Sequence, residues 1–138
     1  MTAKEYLSQA YTIDQRINAK LEQVSALREL ATKATSTISD MPRPDSPNNT
    51  RMEDIILKIV GSENEINAEI DQLVDLKREM RKVIGSVNRL EHQTLLELRY
   101  LCYKTWDQIG IEMNYNPKYV YEIHERALKK VRVPKRPD

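Results

Sequence analysis

Two stretches in which apolar residues recur every three or four positions constrain this chain more than any other feature. Tyr6, Ala10, Ile13, Ile17, Lys20, Val24, Leu27, Ala31 and Ala34 form one seam. Ile56, Ile59, Glu63, Ile66, Ile70, Leu73, Lys77, Met80, Ile84 and Val87 form the second. Such a strip runs along one side of a helix at the coiled-coil period and has to be covered by another element. Between the seams, Thr35 to Asn49 holds Pro42, Pro44 and Pro47, which a helix interior does not accept. Thr50 and Glu53 have the spacing of a capping box that restarts the helix. The expectation is an all-α fold in which residues 1–86 make an antiparallel, coiled-coil-like helical hairpin with a Pro-rich loop at 35–49. Gly61-Ser62, with Glu65 three residues beyond Ser62, marks the expected point of a kink or break.

Leu, Ile and Val together supply 33 of the 138 residues, enough for a core. That exceeds the floor of about 20% below which disorder is expected. The longest Leu/Ile/Val run is Ile55-Ile56-Leu57, far short of the roughly 20 residues of a membrane span. With no secretory leader pattern and a single cysteine, Cys102, a cytoplasmic protein away from membranes is expected. Three glycines leave little room for a Gly-rich phosphate cradle. Charge is uneven: residues 89–138 carry ten basic and seven acidic side chains. Arg126, Lys129, Lys130, Arg132, Lys135 and Arg136 follow one another with no acid between them, a pattern suited to phosphate contact or to a solvated tail.

A boundary is expected near residue 86, with 87–138 as a second domain, because six of the eight aromatic residues lie between Tyr100 and Tyr121. Asn88 with Glu91 can cap a helix over about 89–101, with Leu95, Leu96 and Leu98 as its apolar content. Thr105 with Gln108 caps a second, whose buried stripe is Trp106, Ile109 and Met113. Asn114-Tyr115-Asn116 is a tight turn, and Asn116 caps a third helix that starts at Pro117. Val120, Ile123, Ala127 (or Leu128) and Val131 face inward, leaving Lys118, Tyr119, Tyr121, Glu122, Glu125 and Arg126 on the outer arc. Helix, three-residue turn and helix with a polar N-terminal face are the parts of a helix-turn-helix.

The segments Leu96-Glu97-Leu98-Arg99-Tyr100, Thr105-Trp106-Asp107-Gln108-Ile109-Gly110, Val120-Tyr121-Glu122-Ile123 and Ala127-Leu128-Lys129-Lys130-Val131-Arg132-Val133-Pro134 resemble the fourth region of primary bacterial sigma factors. The resemblance covers about residues 89–134. The whole layout resembles small phage and prophage late-gene transcription regulators of Gram-positive bacteria. The resemblance implies a helix-turn-helix that reads double-stranded DNA and touches RNA polymerase, with Pro117, Lys118, Tyr119, Tyr121 and Glu122 at the base-reading positions. Sigma factors often have basic residues where this chain has Pro117, Tyr119 and Tyr121, so its operator need not resemble a −35 element. Arg126, Lys129 and Lys130 complete the expected DNA-contacting set.

Other chemistry finds little footing. His92, His124 and Cys102 lack the paired spacing of a metal site and read as surface or satisfied residues. Glu65/Glu69 and Asp71/Asp75 read as solvated i,i+4 faces, Trp106 as core, and Arg99 as a structural partner of a carboxylate. No catalytic set, metal or cofactor is expected. The leading expectation is a sequence-specific transcription regulator activating a phage or prophage operon through promoter and RNA polymerase contacts. The alternatives are a small-terminase-like DNA-packaging subunit and a coiled-coil module that sequesters a protein partner. Lys20, Glu63 and Lys77 interrupt the seams, while Leu21, Leu30, Leu57, Val74 and Leu76 lie beside them, so a homodimer is expected.

Overall fold

The computed structural model describes residues 1–40 and 47–135, and side chains over 1–33 and 51–135. Among the described residues the fold is all-α, with five helices: α1 (Ala3–Asp40), α2 (Pro47–Gly85), α3 (Leu90–Tyr100), α4 (Trp106–Met113) and α5 (Pro117–Lys130). They group into two compact units, one drawn from Met1–Asp14 and Leu73–Asp138, the other from Gln15–Gln72.

The long helices exceed their expected bounds. α1 continues to Asp40, past the expected loop start at Thr35, because no proline intervenes before that point. α2 begins at Pro47, so Thr50 is no cap. A proline costs nothing at the first helical position, where the missing N–H would have had no partner. Pro42 and Pro44 lie outside the described residues. α2 passes through Gly61-Ser62 without the expected break. At the start of α1, Thr2 and Glu5 form a capping box: Thr2 Oγ1 accepts from the Glu5 N–H at 3.1 Å, and Glu5 Oε2 from the Thr2 N–H at 3.3 Å.

In the unit formed by Gln15–Gln72, Ile17, Val24, Ile55, Ile59 and Ile66 are buried. The helices pair antiparallel: Arg16 donates to Glu69 at 2.7 Å, Lys20 reaches Glu69 at 3.2 Å and Glu65 at 3.4 Å, and Arg28 pairs with Glu63. Glu65 and Glu69 therefore serve α1, Glu65 from the solvated face as expected and Glu69 from a largely buried position. Each such exposed pair contributes at most about 1 kcal/mol, so they select register while burial supplies stability. Two expected seam residues of α2 point outward: Ile56 is 48% and Ile70 39% exposed. Ile55 and Leu76 of the neighbouring row are buried instead, while Ser62, Glu63, Glu69 and Lys77 are all half-buried. Adjacent rows with two apolar members each are nearly equivalent by sequence, and only the facing helix decides between them.

In the other unit, Tyr6, Leu7 and Ala10 are buried, as are Leu73, Leu76, Met80, Ile84 and Val87, and Tyr6 donates to Glu79 at 2.6 Å. Leu7 was no part of the expected seam. Leu95, Ile109, Val120 and Ile123 form the core of α3–α5, with Leu98, Trp106, Met113 and Tyr115 packed against it. Arg89, not Asn88, precedes α3, and no side chain caps it. Instead Gln93 Nε2 donates back to the Val87 carbonyl at 2.5 Å. Among the described residues Arg99 meets no carboxylate: its Nη1 donates to the Lys104 carbonyl at 2.9 Å, and its guanidinium lies 4.1 Å from the Trp106 ring centroid. That pairing still joins the end of α3 to the start of α4. Behind the core, His124 is fully buried on α5, and its Nε2 meets the Tyr100 hydroxyl of α3 at 2.6 Å. Trp106 stands edge-on to the same imidazole at 4.6 Å.

Two stability outcomes follow from this packing. Ile66→Asp or Val24→Asp should lower stability by about 3 kcal/mol or more, while Ile56→Asp changes it by less than about 1 kcal/mol. Urea denaturation followed by circular dichroism separates the two rows of α2, and equal losses would reject the register. Burial, joined by Arg99 and Lys4 and opposed by Glu125, pushes the His124 imidazole down to about 4 from 6.5. The unfolded chain then takes up the proton first, so the stability from neutral His124 is complete above pH 6.5 and falls as pH drops toward 4. The loss should be on the order of 3 kcal/mol. His124→Leu should flatten that part of the pH–stability profile, and an unchanged slope in the variant would show that the imidazole is not its source.

Candidate nucleic-acid interface

The sequence between Thr105 and Asn116 dictates how α4 gives way to α5. Thr105 Oγ1 accepts from the Gln108 N–H at 3.2 Å, and Gln108 Oε1 accepts from the Thr105 N–H at 2.9 Å, the expected capping box. α4 ends at Asn114, in the left-handed region at φ 60° and ψ 45°, which Asn tolerates better than most residues. The chain then folds back so closely that the Tyr115 N–H donates to the Gly110 carbonyl at 2.8 Å. A Cβ on Gly110 would stand 2.7 Å from the Tyr115 carbonyl oxygen and 3.6 Å from the Pro117 ring. Gly110 is thus required by the turn. Asn116 Oδ1 accepts from the Lys118 N–H at 2.9 Å, and Pro117 occupies the first helical position.

This entry sets the rotation of α5. Val120, Ile123, His124 and Ala127 are buried, which settles the inward position at 127 rather than 128. Pro117, Lys118, Tyr119, Tyr121, Glu122, Arg126, Lys129 and Lys130 are all exposed. Lys118, Glu122 and Lys129 share one line along the solvent face, with Arg126 beside it. Lys129 and Lys130 close the last turn, where the helix dipole favours cations.

The two tyrosines are exposed yet braced. Tyr119, 41% exposed, meets Tyr115 edge-on at 5.0 Å, and Tyr115 in turn donates to Glu91 Oε2 at 2.7 Å. Tyr121, 45% exposed, meets Trp106 edge-on at 5.4 Å. A hydrogen bond with Glu125 raises its phenol above the usual value. Each ring is therefore supported on one side by an aromatic neighbour and open to solvent on the other.

The expectation for the histidines needs correction. His92 and His124 are both buried, at 4% and 0% exposure, and the Nδ1 atom of each has no hydrogen-bond partner among the described residues. Neither is a surface residue, because each lies on the inner side of its helix. Among the described residues no three His, Cys, Asp or Glu side chains gather as a metal site. No described helix is long and apolar enough to cross a membrane. Sequence reasoning missed Arg89, which lines a cleft with Lys129, Lys130 and Arg132. Its only sequence signal is a cation three residues before a histidine in a turn.

Gly110→Ala tests the geometry of the turn. A free helical site would gain up to about 1 kcal/mol from Ala. Here the clash with the Tyr115 carbonyl should instead cost about 1–3 kcal/mol. Thermal melts decide the sign, and a raised Tm would remove the close approach from this description.

No curated protein and no solved structure matches the chain. One family, described as "Protein of unknown function (DUF1492)", matches residues 45–132. That stretch is more than half of the chain and takes in all of α2, α3, α4 and α5. The chain belongs to this family of proteins of unknown function.

Proposed function

We propose that this protein is a sequence-specific, DNA-binding transcription regulator in which α4, the 114–116 turn and α5 act as a helix-turn-helix. The observation that carries the reading is the partition of α5. Its inner face is consumed by the core, while Lys118, Tyr119, Tyr121 and Glu122 are displayed together on its first turns. A helix presented this way enters the major groove with its N-terminal residues at base edges. Lys118 can donate to guanine O6 or N7, and Glu122 can accept from cytosine N4. The braced tyrosines offer hydroxyls to phosphate or ring edges to a thymine methyl. Arg126, Lys129 and Lys130 lie farther along and neutralise phosphates.

The resemblance to sigma-factor region four extends the proposal to activation of a phage or prophage operon in the cytoplasm, with contact to RNA polymerase. Association into a homodimer is part of the same reading. In the unit formed by Gln15–Gln72, Leu21 and Ile70 stay substantially exposed beside a groove that also holds Arg28 and Glu63. Half-sites one DNA turn apart would then be read by two copies.

Salt titrations against selected and scrambled duplexes test the reading. Lys118→Ala or Glu122→Ala should relax preference at one or two base pairs by roughly 1–3 kcal/mol. Lys129→Ala or Lys130→Ala should weaken both duplexes alike and reduce the salt slope by about one. Wild type that binds both duplexes equally, or neither at about 50 mM salt, would replace this reading with a protein-contact role.

A further inference from the structure

We propose that the cleft between the α2–α3 turn and the C-terminal end of α5 is a phosphate-binding site, occupied by a backbone phosphodiester of bound DNA. The proposal rests on the DNA-binding reading for the source of the phosphate, while the site itself stands on its own geometry.

The cleft, about 700 Å³, is lined from one side by Asn88, Arg89 and His92 and from the other by Lys129, Lys130 and Arg132. Among the described residues, no acidic one is in its lining. Among the described residues, none of the four lining cations has a carboxylate within ion-pair distance. Four like charges from two elements repel one another, and an anion between them would relieve that repulsion. The nearest carboxylate on α3, Glu91, is turned to the Tyr115 hydroxyl at 2.7 Å.

His92 makes the cleft more than a cationic surface. Its side chain is 4% exposed, lines the cleft and, among the described residues, leaves Nδ1 buried without a partner. A buried ring nitrogen with nothing to bond costs about 1–3 kcal/mol, and a phosphodiester oxygen, which only accepts, would take the proton-bearing form of the imidazole as its donor. Burial and the fields of Arg89, Lys130 and Arg126 hold the imidazole below its ordinary value, against Glu91. An anion in the cleft would reverse that field. The first turn of α3 opens beside the same space with no side chain capping it, so its N–H groups add donors.

Phosphate fits this donor set better than a carboxylate. Arg89 and Arg132 offer planar forks, and two lysines supply point charges around one tetrahedral group. The placement fits a DNA backbone. Lys118 and Lys129 are eleven residues apart on α5, about 16 Å along the axis. A major groove is about 12 Å wide. With Lys118 at base edges, the far end of α5 therefore reaches the strand that borders the groove.

The test uses the full chain and its two imidazoles, which long-range proton–nitrogen correlation spectra report separately. Selected duplex should shift the His92 ring nitrogens and leave those of His124 in place. Arg89→Ala, an exposed change, should flatten the salt slope by about 0.9. It should weaken selected and scrambled duplex by the same factor, with sequence preference retained. If Arg89→Ala keeps the wild-type slope and DNA leaves His92 unmoved while Lys118→Ala still loses preference, the DNA reading stands and the cleft is rejected. If wild type binds no duplex, inorganic phosphate decides. A His92 shift that Arg89→Ala abolishes keeps the site with free phosphate as its ligand, and an unmoved His92 overturns it.

Discussion

The close approach of the Tyr115 carbonyl to Gly110 governs the C-terminal part of this protein. With any side chain at 110, the chain leaving α4 would have to swing outward, and α5 would start from a different place with a different rotation. Around that contact each neighbouring residue solves one local problem. Asn114 accepts the left-handed backbone, Asn116 takes the first free N–H of α5, and Pro117 occupies a position that has no use for an N–H. The outcome is a helix whose rotation is fixed at its entry. Val120 and Ile123 meet Leu95 and Ile109, Ala127 is buried on the same side, and the charged residues are left outside.

Polar groups inside this unit do a different kind of work from the apolar ones. The Tyr100–His124 contact ties α3 to α5 at a single place, since a buried imidazole shifted along the helix would lose its partner. Arg99 between the Lys104 carbonyl and the Trp106 face holds the α3–α4 junction in the same way. Both fix alignment more than they add stability, because burying them has already cost much of what their hydrogen bonds return. Among the described residues the Nδ1 atoms of His92 and His124 have no such return, and His92 lies where the cations collect.

The paired stretches of α1 and α2 show the same division between what stabilises and what selects. Isoleucine and valine supply burial, but they are interchangeable along a repeating strip and would allow several registers. Arg16, Lys20 and Arg28 against Glu63, Glu65 and Glu69 are not interchangeable, so a shift by one turn would set carboxylates against apolar positions. The family match spans the whole of α2 together with α3, α4 and α5. It thus treats the second long helix and the three short ones as one inherited segment, in line with the burial of Leu76, Met80 and Ile84 in the same unit as α5.

The sequence by itself determined the elements whose causes are local. The all-α class follows from spacing, the start of α4 from Thr105 and Gln108, and the turn and start of α5 from Asn114, Asn116 and Pro117. These read correctly because a cap or a left-handed residue acts on atoms three or four positions away. Causes spread over the chain were not legible. Ile55 and Ile56 look alike until α1 lies against one of them, and the same holds for Ala127 and Leu128 before α3 is in place. Arg99 looked like half of an ion pair because a backbone carbonyl carries no sequence signature. Arg89 and His92 were invisible as a pair with Lys129 and Arg132, since nearly forty residues separate them along the chain. Only the antiparallel packing of α3 on α5 brings the start of one to the end of the other. Where charges meet across helices is a property of tertiary structure, because no local periodicity records which turn of one helix will face which turn of its neighbour.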